Sequence, residues 1–153
     1  MKGTAMAERP DIRLTPAEQA AFLRDHRKCA LATLDRDGFP HVVAMNFVMQ
    51  DGACYMTSYG KAQKVLNIRR NPKVAMMVET GSAYAELKGV MMRGECEIIE
   101  TPDAVNTVFA WMAEARGEPR PQGASRSAPK RVVLKIVPTK TATWDHRKLG
   151  GRY

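Results

Sequence analysis

Asp37-Gly38 and Asp51-Gly52 fence off a run of apolar residues, and each Asp-Gly pair has the chemistry of a tight hairpin turn. Before the first turn lies Lys28–Leu34 (KCALATL), between the two lies Pro40–Gln50 (PHVVAMNFVMQ), and Ala53–Ser58 follows the second. Three apolar strands on two hairpins predict an antiparallel meander. The pattern returns at Lys73–Glu79, which Gly81-Ser82 ends. In Leu87–Ile99, Val90, Met92, Cys96 and Ile98 alternate with Met91, Arg93, Glu95 and Glu97; in Arg131–Val137, Val132, Leu134 and Ile136 point inward. Gly94, midway along the longest strand, predicts a bulge or a close approach of backbone. About six such strands must dispose of their edges, which favours a closed or split antiparallel barrel with inserted helices.

Thr15-Pro16-Ala17-Glu18 is a capping box with proline at the first helical position. It predicts a helix to Asp25 that buries Ala20, Ala21, Phe22 and Leu23 as a lid on the sheet. Thr101-Pro102-Asp103 opens another helix, with Val105, Val108, Phe109 and Met112 as its apolar stripe. Residues 117–129 hold three prolines and two glycines and read as a mobile loop. At 153 residues the chain is expected to form one domain over residues 14–153, after a flexible segment 1–13. It has no long apolar run and no signal-peptide pattern, so a cytoplasmic protein without a membrane segment is expected. Cys29, Cys54 and Cys96 are widely spaced inside apolar runs and read as core residues of a reducing compartment.

The net charge of +8 is unevenly placed. Residues 61–73 carry five basic and no acidic side chains, and residues 130–153 carry seven basic and one acidic. If the two segments meet, they form a basic groove for a polyanion. Nucleic acid is disfavoured as that ligand, because no helix-turn-helix, zinc finger or pair of exposed strand aromatics is present. The first basic segment lies in Ala53–Val74, read as a strand ending in Thr57 and Ser58, a turn at Ser58-Tyr59-Gly60, and a helix from about Lys61 to Arg70. Lys61 and Lys64 share a helix face at that spacing. Hydroxyls, a helix N-terminus and two ammonium groups suit a phosphate. A surface helix with solvated lysines is the alternative, and the residues alone leave both open.

Other chemistry is hard to find. His26, His41 and His146 have no carboxylate or cysteine at ligand spacing, so no metal site is expected. There is no nucleophile elbow, Walker loop or dinucleotide fingerprint, and no carboxylate pair stands out. An enzyme so equipped depends on a bound cofactor.

The order LATLDRDGFPHVVAMNFVMQDGACYMTS, then K-x-x-K-x-x-N at Lys61, Lys64 and Asn67, then Asn71-Pro72-Lys73-Val74-Ala75, resembles the pyridoxamine-phosphate-oxidase-like split β-barrel proteins over residues 15–148. The resemblance implies a homodimer with two equivalent interfacial sites and a bound FMN or deazaflavin F420, less often FAD or haem. By the same resemblance Thr57, Ser58, Lys61 and Lys64 match positions that hold the cofactor phosphate, and Val42, Val43 and Ala44 match the strand along which its ring lies. Trp144 and Lys148 match a C-terminal segment that reaches the site from the partner chain in relatives; Trp144 as an interface packing residue stays open beside this. Pyridoxamine phosphate oxidase itself has a longer arm ending in Arg-Leu-x-Pro, which the ending Gly151-Arg152-Tyr153 lacks, so vitamin B6 oxidation is disfavoured. The ending PTKTATWDHRKLGGRY is more similar to the short deazaflavin-using branch. The expected function is therefore hydride transfer between reduced F420 and a small organic substrate, with Met45, Phe47 and Met92 as an apolar wall. An FMN-dependent oxidoreductase and a non-catalytic flavin, deazaflavin or haem binder are the alternatives. Tyr59 and Tyr84 are available as proton donors, but nothing singles them out, and no catalytic side chain is assigned.

Overall fold

In the computed structural model, which describes residues 10–151, the capping box forms as its residues dictate. The Glu18 N–H donates to Thr15 Oγ1 at 3.2 Å, and the Thr15 N–H donates to the Glu18 carboxylate at 2.7 Å. Helix α1 (Pro16–Asp25) buries Phe22 and Leu23, whereas Ala20, expected inward, is exposed. Of the segment expected to be flexible, residues 1–9 lie outside the described residues, and the Ile12 carbonyl accepts from the Asp145 N–H at 2.7 Å.

The strands are β1 (Lys28–Leu34), β2 (Pro40–Asn46), β3 (Val48–Gln50), β4 (Ala53–Tyr59), β5 (Lys73–Thr80), β6 (Lys88–Ile99) and β7 (Arg131–Asp145). Helix α2 (Gln63–Arg70) follows β4, and α3 (Pro102–Ala115) follows β6. All pairings are antiparallel, in the order β2-β1-β5-β6-β7-β4-β3. The two edge strands, β2 and β3, are consecutive in the chain and joined only by Phe47. One continuous segment thus belongs to both ends of the sheet and curls it into a split β-barrel, leaving few free edges.

Two expectations are corrected here. Pro40–Gln50 is not one strand, because Phe47 turns into the core, nearly fully buried, and its N–H donates to the Arg27 carbonyl at 3.0 Å. The meander survives only as its two hairpins, β1 with β2 and β3 with β4, which lie at opposite ends of the sheet, and β4 pairs on its other side with β7. Strand β7 runs past Val137, where the last strand was expected to stop, to Asp145; its first residues pair with β4, and from Val133 onward it runs along β6. Pro138 has no N–H to offer, and it sits where the ladder is interrupted. The register passes from Arg93↔Lys140 to Gly94↔Pro138, so Thr139 is the extra residue, and its hydroxyl donates to the Arg93 carbonyl at 3.2 Å.

Leu31, Met56, Met76, Val90, Met92, Leu134 and Ile136 fill the barrel, and Val65 and Ile68 of α2 close one end. Val133, of opposite parity on β7, faces outward and packs under Val105, Val108 and Met112 of α3. The three cysteines are free and buried; burial pushes the Cys29 and Cys96 thiols up to about 12 and the Cys54 thiol well above its ordinary value. They remain protonated core side chains. Arg27 staples two helix ends together, its guanidinium donating to the carbonyls of Arg24 in α1 and Ala115 in α3.

Of the described basic residues in 130–153, Lys130 and Arg131 meet the turn before the lysine helix, whereas Arg147 and Lys148 are held elsewhere. Lys148 Nζ donates to the Arg13 carbonyl and to Glu18, both at 2.7 Å, and Arg147 pairs with the buried Asp145 at 2.8 Å. Trp144 lies across β6, where a Cβ on Gly89 would come within 2.3 Å of the indole. Hydrogen bonds from Arg147 hold the Asp145 carboxyl below its ordinary value, with Lys88 adding attraction from 3.8 Å. A depressed carboxyl contributes stability above the ordinary carboxylate range and loses it as pH falls through the lowered folded value. Asp145→Asn is expected to lower Tm at neutral pH and to flatten the loss of stability as pH falls through and below the ordinary carboxylate range. Parallel acid limbs in the two pH–Tm curves would exclude this role.

Candidate functional site

Alternation along β4 splits its last residues between two faces. Ser58 points inward and is buried, while Thr57 is half-buried on the outer face and Tyr59 is exposed. The Gly60 N–H donates to the Lys130 carbonyl at 3.0 Å, which ties the turn to the base of β7. The Ala62 N–H then bonds the Tyr59 carbonyl at 3.0 Å, and the Ala62 carbonyl is the first acceptor of α2. The helix therefore begins at Gln63, not Lys61. Lys61 stands exposed in the turn, so it and Lys64 do not share a helix face as expected.

Alanine at the N-cap has no oxygen to offer, and no side chain caps α2. Its first N–H groups are left to an outside acceptor. Lys64, in the first turn, reaches back to Ser58 Oγ at 3.4 Å. One turn later the fully buried Asn67 donates to the buried Thr33 hydroxyl at 3.0 Å and accepts from Gln63 at 2.8 Å and from Arg70 at 3.1 Å. Asn67 thereby locks α2 to β1 and fixes the height of Lys64 over Ser58.

On β2, Val42 and Ala44 face outward, whereas Val43 packs against the barrel core. Ala44 and Thr57 line one cleft of about 630 Å³, completed by Phe109, Ser125 and Arg131. The structure thus brings Ala44 and Thr57 together in that cleft, and Ser58 and Lys64 together on the other side of β4. Trp144 and Lys148 lie at the opposite end of β7 from Arg131, outside the cleft lining. The expected apolar wall is divided too. Met45 borders this cleft, while Phe47 and Met92 line a separate cavity of about 580 Å³ beneath α1. The loop expected to be mobile is anchored to α3 at several points: the Ser125 N–H donates to Asn106 at 2.9 Å, the Glu118 N–H donates to the Ala113 carbonyl at 2.9 Å, and Arg120 pairs with Glu114.

Arg131 is the residue that the sequence reading missed. Its guanidinium stacks 4.1 Å over the Tyr59 ring, with Phe109 at 5.7 Å, and Nε donates to Ser127 at 3.3 Å. The signal was present only as the first residue of the last strand; its partner Tyr59 is set by the β4–β7 register. Among the described residues, no cluster of three or more His, Cys, Asp or Glu side chains is placed to hold a metal, and no helix is long and apolar enough to cross a membrane.

Residues 15–145 match the family described as pyridoxamine 5'-phosphate oxidase, and that match spans nearly the whole described barrel. The chain belongs to this family. A conserved hypothetical protein of Mycobacterium tuberculosis is 36% identical, with 97% of this chain and 95% of that one covered and a TM-score of 0.81. An F420 reductase is 28% identical over 80% of this chain and 94% of its own, with a TM-score of 0.65. An FAD-binding protein from Mesorhizobium loti, 22% identical over 85% and 94% of the two chains with a TM-score of 0.66, shares the pyridoxamine 5'-phosphate oxidase fold. No curated protein matches the sequence.

Proposed function

We propose that the protein is an oxidoreductase that uses the deazaflavin F420 on a small organic substrate. The observation that carries this reading is the uncapped start of α2, where Lys64 is held against Ser58, across β4 from a cleft bordered by Ala44 and Thr57. Resemblance to an F420 reductase favours deazaflavin over FMN. The residues present fit such a cofactor: hydroxyl, ammonium and free backbone N–H groups suit its phosphate, and the outward Val42 and Ala44 offer an apolar strip for its ring. Bound in its reduced form, such a cofactor would supply the hydride for an activated double bond of the substrate. Ser58, Lys61 and Lys64 would hold the phosphate on one side of β4, Thr57 would meet the cofactor from the cleft on the other side, and the outward Val42 and Ala44, backed by Val43, would orient the ring and exclude water.

Homodimerisation is part of the proposal. Phe39 is 71% and Val42 59% exposed, so the edge beside the ring strip carries apolar surface that a second copy would cover. In this reading Trp144 and Lys148 contribute from that second copy. Light scattering that gives a monomer at assay concentration would remove them from the site.

A spectral titration with F420 and with FMN tests the assignment, and saturable binding of FMN alone would replace F420 by FMN. Lys64→Ala is expected to weaken F420 by at least about tenfold, because a charged hydrogen bond to an anion outweighs the effect of a solvated surface charge. An unchanged Kd would take Lys64 out of the phosphate site.

A further inference from the structure

We propose that the cleft between β4 and α3 carries a second anion site, centred on the guanidinium of Arg131, for a phosphate or carboxylate group. This rests on the reading of the cleft as part of the cofactor and substrate site. The lining contains two arginines, Arg116 and Arg131, and no carboxylate. Arg116 has its charge met by Glu118 at 2.8 Å. Arg131 forms no ion pair among the described residues; its contacts are two aromatic rings and the Ser127 hydroxyl.

That arrangement has a direction. Tyr59 covers a face of the guanidinium, and Ser127 takes the Nε–H, which leaves the terminal N–H groups as the donors without a partner. A half-buried cation has lost part of its hydration, and an anion recovers that loss through a planar, two-pronged hydrogen bond. The stacking holds the fork in one orientation before the ligand arrives, so little side-chain entropy remains to be lost on binding. The site is separate from the Lys64 corner, because Ser58 and Thr57 face opposite sides of β4 and Arg131 lines the Thr57 side. The anion has two sources of the same chemistry: the acidic tail of the cofactor, or an acidic group on the substrate.

The test is a titration of ligand-free protein with inorganic phosphate, followed through the Arg131 Nε–H resonance in an NMR spectrum. Phosphate is expected to shift that resonance saturably. Arg131→Gln should weaken phosphate binding in the cleft at least about tenfold, and Arg131→Lys should retain part of it. A resonance that does not move, or equal phosphate affinity in Arg131→Gln, overturns the proposal. If Arg131→Gln also weakens F420 about tenfold, the anion is the cofactor tail; if F420 binding is unchanged while phosphate binding is lost, the anion belongs to the substrate. Wild-type protein that binds no F420 but still shifts Arg131 with phosphate would sink the cofactor assignment and leave this site standing.

Discussion

Gly94→Ala is expected to destabilise the barrel by about 3 kcal/mol, lowering Tm by roughly 10 °C. A Cβ at this position would sit 2.4 Å from the Val137 carbonyl oxygen and 3.3 Å from its carbon. The obstacle is backbone in the facing strand, so no rotamer change relieves it. The clash also falls at the bulge that lets β7 pass Pro138, within the longest ladder of the sheet. Any shift of β7 there propagates to its pairing with β4, and so to Ser58 and Thr57. Gly60→Ala is the control: its added Cβ meets Val132 at an ordinary 3.5 Å, and the cost should stay below about 1 kcal/mol. Thermal melts of the two variants decide the matter; a Gly94→Ala protein that melts within two or so degrees of wild type would show that the strands separate freely.

Asn67→Ala is expected to cost about 3 kcal/mol and to weaken cofactor binding as well. The side chain is completely buried and serves three partners, Thr33, Gln63 and Arg70. Its removal leaves the buried Thr33 hydroxyl without its donor and opens a void between α2 and β1. Thr33→Val in the same background removes the orphaned hydroxyl, so the double variant should lose less than the sum of the two single losses. Urea denaturation of the four proteins measures that coupling. Additive losses would mean that Thr33 and Asn67 act independently and that the hydrogen bond does not hold the helix. The loss of F420 affinity separates positioning from stability, because it should persist at temperatures where the variant is fully folded.

The contact between Ser58 and Lys64 is legible in the chain. Ser58, Lys64 and Asn67 lie within ten residues of one another, so strand alternation and helix spacing already placed them near one turn. The capping box at Thr15 and the inward set Val132, Leu134 and Ile136 are legible because each depends on neighbours a few residues away; Gly94 signals a close approach by its residue type alone, and its partner Val137 is set by the β6–β7 register. The start of α2 was misread by two residues, since Lys61 is a good helix former and only the Ala62–Tyr59 hydrogen bond shows that a turn precedes the helix.

What the sequence determined by itself was the position of most strands, the hairpin turns, the caps of α1 and α3, and the nearness of Ser58 to Lys64. The tertiary structure alone decided that β4 pairs with β7, that Phe47 breaks one long strand to close the barrel, that Arg131 stacks on Tyr59, and that Lys148 is held by Glu18. Local order follows from dihedral preference and apolar period over a few residues. Contacts between residues 59 and 131, or 18 and 148, follow from which apolar faces must be buried together, and that choice belongs to the whole chain.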